Sequence, residues 1–225
     1  MKIKKISLGS LANNCYFLIK NNDLIIIDPG FDGSFLSEEI LNNKLNLQAI
    51  LLTHGHFDHL GGLLPLYLNF SIPILLHQSD LSLYQKANKN CLYFTNFDLG
   101  PLPPINALTL FSIKKNLTII KNQPDDIVKK IMTNFDQFKI KIIETPGHTQ
   151  GSCCFYLPKE KSIFTGDTLF KNAIGRTDFS YSNKTQMKKS LNKLFKLKNN
   201  ISVMPGHGEE TNIGQERTSQ NYDKI

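Results

Sequence analysis

Short apolar runs separated by turn residues dominate the first third of the chain. "IKKISLG", "CYFLIK" and "DLIIID" read as strands over 3–9, 15–20 and 23–28, the last broken by Pro29-Gly30. Phe35, Leu36, Ile40 and Leu41 fall at helical spacing behind Ser34, which predicts a helix capped by that serine. "LQAILLT" is a fully apolar strand ending at Thr53, "FDHLGGLLPLYL" turns helical with Pro65 as an interruption, and "IPILLHQSD" gives a buried strand and a helix start. Residues 88–108, with "GPLPPIN", read as an irregular surface excursion. Strands are predicted again over 109–121 and 138–144, and "GSCCFYL" and "KSIFTGD" as a hairpin around 158–160. Met187, Leu191, Leu194 and Phe195 make a helical core stripe. "ISVMPGHG" is a last strand and "TNIGQERTSQNY" a terminal helix. Strands that crowd the start, with helices interspersed later, predict an α+β arrangement of packed sheets with helices outside. With no repeat or linker, one domain spans 1–225.

Of the 225 residues, 40% are hydrophobic, enough for one sizeable core. No apolar run is long enough to span a membrane, and the N-terminus lacks the continuous apolar segment of a secretory signal. Cys15, Cys91, Cys153 and Cys154 form no disulfide framework, and the vicinal pair points to opposite faces of a strand. Reduced thiols in a cytoplasmic setting are expected, with an organellar one left open. The net charge of +7 comes from lysines spread in short pairs at 4–5, 114–115, 129–130 and 188–189. That reads as a solvated surface rather than a nucleic-acid groove, so neither nucleic acid nor membrane is expected as a partner.

"THGHFDH" places three of the chain's six histidines and an aspartate just past a predicted strand end. His54, His56, Asp58 and His59 are joined further on by His148 in "PGHT", Asp167 in "GDT" and His207 in "PGHG", each beside a glycine that permits a sharp turn. Imidazole and carboxylate together suit zinc or iron better than calcium or magnesium. Seven donors exceed the needs of one catalytic zinc, which favours two divalent metals. His54 and His56 can face one ion, Asp58 and His59 a second, and Asp167 can bridge. His77, ending a strand before "QSD", is read as a structural or helix-entry residue.

"THGHFDH" resembles the THxHxDH signature of the metallo-β-lactamase superfamily. "NNCYFLI", "IIIDPG", "TPGHTQGS", "FTGDTLF", "IGRTDF" and "PGHGEETNIGQE" together look like its hydroxyacylglutathione hydrolase (glyoxalase II) group, in particular short single-domain members, over Gly9–Tyr222. The resemblance implies an αββα sandwich with the metals at one edge. It implies that His54, His56 and His148 hold one metal and Asp58, His59 and His207 the other, bridged by Asp167. Zinc is the expected metal, with iron or a mixed pair as the alternative. Asp28 would orient a ligand imidazole, and Arg176 would either meet a substrate carboxylate or pair with Asp178. The implied reaction is hydrolysis of a thioester such as S-lactoylglutathione by a hydroxide shared between the metals, with Asp58 and Asp167 in the catalytic centre. No counterpart is expected here of the C-terminal helical segment that clasps glutathione in longer relatives. Rival readings are phosphodiester or lactam hydrolysis on the same platform, a mononuclear-iron sulfur dioxygenase, and a non-catalytic metal sensor.

Overall fold

The computed structural model describes residues 1–113, 117–119 and 124–219. β1 (Lys2–Leu8), β2 (Asn13–Lys20) and β3 (Asp23–Ile27) form an antiparallel meander. After α1 (Gly33–Asn42), β4 (Asn46–Leu51) returns parallel to β3. α2 (Phe57–Leu60) and α3 (Leu63–Phe70) lead to β5 (Ile74–His77), and α4 (Leu81–Gln85) and α5 (Ala87–Thr95) lead to β6 (Leu108–Ile113) and β7 (Leu117–Ile119). These seven strands pair in chain order as one sheet. Beyond α6 (Asp125–Phe138) come β8 (Lys141–Glu144), β9 (Cys153–Leu157), β10 (Ser162–Gly166), the small β11 (Leu169–Phe170) and β12 (Ala173–Ile174) ribbon, α7 (Lys184–Leu194), β13 (Ser202–Pro205), β14 (Thr211–Asn212) and α8 (Ile213–Thr218). The second sheet has the order β14-β13-β10-β9-β8.

Strand alternation builds the layers, because successive side chains face opposite sides of a sheet. Tyr16, Leu18, Ile25 and Ile27 of the first sheet meet Cys153, Phe155 and Phe164 of the second in a shared inner core. Cys15, Phe17, Leu24 and Ile26 point outward, under Leu36 and Ile40 of α1 and Leu63 and Leu66 of α3. On the far side Cys154 and Ile163 pack under Met187, Leu191 and Leu194 of α7. This is the expected αββα sandwich. The four cysteines are free and buried, the vicinal pair facing different layers. Among the described residues no helix is long and apolar enough to cross a membrane.

Several local expectations change. The cap of α1 is Asp32, whose carboxylate accepts from Phe35 N at 3.0 Å, and Ser34 lies inside the helix. Pro65 does not interrupt a helix: it sits in the first turn of α3, where a missing N–H costs nothing. The break falls at Gly61-Gly62 instead, where a Cβ on Gly33 would collide with the Gly62 carbonyl. Within 88–108, residues up to Thr95 belong to α5; its outward Leu92, Tyr93 and Phe94 hide the polar face that periodicity needs. Residue 138 ends α6 rather than starting a strand, and Ile131, Phe135 and Phe138 form a helical stripe against the inner core. Parts of the 109–121 strand, the 114–115 lysine pair and residues 220–222 of the terminal helix lie outside the described residues. His77 serves as expected at a helix entry: Nδ1 accepts from Ser79 N, leaving Nε2–H to donate to Glu144 Oε1 at 2.9 Å.

Candidate metal centre

The carboxyl ends of β4, β8, β10 and β13 converge, and the turns and the short α2 beyond them carry all seven sequence-predicted donors. His54 Nε2 and His148 Nε2 lie 3.0 and 2.9 Å from His56 Nδ1. His207 Nε2 and His59 Nε2 lie 3.1 and 3.7 Å from Asp58 Oδ2. Asp167 stands between the two sets, with Oδ1 at 3.4 Å from His59 Nε2 and Oδ2 at 3.6 Å from His148 Nε2. The donor atoms of each triad, His54/His56/His148 and Asp58/His59/His207, all fall within 4.8 Å of one another.

Each imidazole is held by its other nitrogen. Thr53 Oγ1 donates to Asp28 Oδ2 at 2.6 Å, so it accepts from His54 Nδ1–H and leaves an unprotonated His54 Nε2 facing His56. His59 Nδ1 donates to Asp28 Oδ2 at 2.9 Å, His148 Nδ1 to the Arg176 carbonyl at 2.9 Å, and His207 Nδ1 to the Leu11 carbonyl at 2.9 Å. His56 is turned the other way, with Nε2 against Tyr181 Oη at 2.9 Å and Nδ1 inward. Such partners fix tautomer and ring orientation. Two buried donor atoms of the centre, His59 Nε2 and Asp167 Oδ1, nonetheless have no hydrogen-bond partner among the described residues. Uncompensated buried polar atoms are costly. Bare nitrogens and carboxylate oxygens with their outer sides satisfied fit a borderline divalent metal.

The electrostatics agree with that fit. Burial and the neighbouring imidazoles push the His54 pKa well down, and burial with His148 lowers that of His56 to about 3, so both stand as neutral ligands. Burial opposes the His59 cation, yet Asp28, Asp58 and Asp167 hold its pKa well above the ordinary value. Burial likewise opposes the Asp167 anion, but His59, His54 and His148 keep its pKa far below the usual carboxylate range. Without metal, His59 supplies the positive charge that the carboxylates require.

Two contributors escape sequence reading. Buried Asp80 accepts from Gly55 N at 2.9 Å, Thr149 Oγ1 at 2.7 Å and Gly151 N at 2.7 Å, tying the His54–His56 loop to the His148 turn. Burial raises its pKa against the pull of those three donors. An aspartate opening a helix gives no hint of such partners. Tyr181 is the other; nothing in "SYSN" marks it as the partner of His56. Arg176 pairs with Asp178 through Nε–Oδ1 at 2.9 Å and Nη2–Oδ2 at 2.7 Å, and its guanidinium lies 4.3 Å from the Phe179 ring centroid. The donors open into a cleft of about 550 Å³ lined by His56, Asp58, Asp167, Arg176, Phe94 and Phe179 among others.

A sequence model of the metallo-beta-lactamase superfamily matches residues 8–207. The hydroxyacylglutathione hydrolase GloC of Haemophilus influenzae is 33% identical over 99% of this chain and 98% of its own. The BLEG-1 B3 metallo-beta-lactamase structure is 32% identical, with TM-score 0.78 over 97% of this chain and 98% of that one. TTHA1623, solved in a di-iron-bound form, is 29% identical, with TM-score 0.78 over 96% and 98%. Donor geometry, αββα layers and likeness over almost the whole length agree: the chain is a metallo-hydrolase belonging to the metallo-beta-lactamase superfamily.

Proposed function

We propose that the chain is a binuclear metallohydrolase that cleaves a small thioester such as S-lactoylglutathione. The observation that carries this reading is the placement of Asp167, which offers one carboxylate oxygen to each of two donor groups. His54, His56 and His148 would hold one divalent metal, and Asp58, His59 and His207 the other. Zinc is the first choice, and iron is supported by the di-iron form of TTHA1623. When bound, such metals polarise an acyl carbonyl and bring the pKa of water towards neutrality. The chain's own residues orient and confine the reaction. Asp28, Thr53, Tyr181 and the Arg176 and Leu11 carbonyls fix the imidazoles, and the buried floor of the cleft excludes bulk water. Arg176 at the rim would meet an anionic substituent only by giving up its pairing with Asp178. The likeness to GloC supports the thioester. The scattered lysines support a small-molecule substrate rather than a polyanion, and the four free, buried cysteines support a reducing, cytoplasmic location.

The test is turnover of S-lactoylglutathione by protein of known metal content. Two metals per chain with thioester cleavage supports the reading, and fewer than two with no cleavage removes it. The likeness to BLEG-1 favours a second reading, lactam hydrolysis at the same centre. Cephalosporin cleavage by the same preparation without thioester turnover would establish that reading instead.

A further inference from the structure

We infer that the substrate carries an apolar chain or ring beside the cleaved bond, seated along an aromatic wall of the cleft; this rests on the thioester reading above. The wall begins at the metal donors. The Phe179 ring centroid lies 5.7 Å from that of His56 and 6.1 Å from that of His148. Phe94 follows at 6.5 Å from Phe179, and Phe57 stacks on Phe94 at 6.4 Å with the rings 15° apart. Leu11, Phe170 and Ile174 also line the cleft.

Of these rings only Phe57 belongs to the buried core. α5 buries only Ala87 and Cys91, yet it presents Phe94 at 57% exposure beside Tyr93 at 81%, and Phe97 just beyond the helix is 56% exposed. A contiguous exposed apolar patch of this kind, continuous with a reactive centre, marks a binding surface. Charge points the same way. Among the lining residues Arg176 is the only permanent cation, and Asp178 already occupies it with two hydrogen bonds. A carrier such as glutathione, with two carboxylates and an ammonium group, finds little charge complementarity here. Apolar area is what this cleft offers most.

The test is calorimetric binding of two neutral, uncleavable thioethers of N-acetylcysteamine, S-methyl and S-hexyl, to the metal-loaded protein. The S-hexyl compound should bind about tenfold tighter or more, which is well short of the full value of burying the added methylenes. Phe94→Ala, at an exposed position that should not disturb folding, should cut that ratio by about threefold or more. Leu68→Ala, on the exposed side of α3, should leave it unchanged. Equal affinities, or an undiminished ratio in Phe94→Ala, would overturn the inference. Turnover of two thioester series then identifies which side is apolar, one lengthening the acyl group and the other the thiol. A gradient in either series supports the shared chemistry, and rates flat in both would overturn it. If no thioester is cleaved the thioester reading fails, while the thioether ratio still decides this inference.

Discussion

Asp28 Oδ2 and His59 Nδ1 meet at 2.9 Å with both side chains buried. Asp28 adopts a left-handed backbone, φ 49°, just after β3, which turns its carboxylate onto Thr53 as well, accepting from Thr53 N at 2.8 Å. One anion thereby orients an imidazole of each donor group: His59 directly and His54 through Thr53. Asp28→Asn should keep the fold and weaken metal binding by roughly 10–100-fold. Competition with a chelating dye reads the change.

Metal binding should release a proton, and the pH sign follows from His59. Its raised pKa keeps it an imidazolium near neutrality in the metal-free protein, whereas His54 and His56 are already neutral. Affinity should therefore rise with pH until His59 deprotonates unaided, with release of about one proton per chain from that residue. Calorimetry in two buffers of different ionisation enthalpy measures the number.

The metal-free fold has its own acid limb. His56 titrates near 3 in the folded chain against an ordinary 6.5. Between those values the unfolded chain takes up a proton that the folded chain refuses, so stability falls as pH drops through that window. His59 acts in the opposite sense: its stabilisation is full below the ordinary histidine value and is lost as pH rises through its raised pKa. Urea titrations across pH should show the acid loss in metal-free protein.

Tyr181→Phe keeps the ring stacked on Phe179, at 5.3 Å and 18°, and removes only the bond to His56 Nε2. Metal affinity should fall by about tenfold with thermal stability nearly unchanged.

Asp80→Ala orphans two buried donors, Gly55 N and Gly151 N, and leaves the Thr149 hydroxyl only its contact with Ser152 Oγ. It should destabilise the chain by about 3 kcal/mol or more, visible as a lower urea midpoint. Asp167→Ala removes the residue between the two donor groups, and should abolish turnover and lower metal content while far-ultraviolet dichroism is retained.

The sequence by itself determined the buried strands and the donor types. The unbroken apolar runs of "CYFLIK" and "DLIII" mark strands covered on both faces, and "THGHFDH" at a strand end concentrates four donors because neighbours in the chain stay neighbours in space. α5 was not legible because aromatics on its outer face blur its period, whereas the stripe of α6 is regular but sparse within a polar stretch. Only the tertiary structure decided which nitrogen of each imidazole faces the centre, because that depends on partners distant in the chain, such as Leu11 for His207 and Tyr181 for His56. It alone also brought Asp80 to the His148 turn and Phe94 to Phe179, contacts made by packing between segments that share no local pattern. Local periodicity records burial and turn chemistry, whereas a site's orientation and its substrate wall arise from long-range contacts that no short window contains.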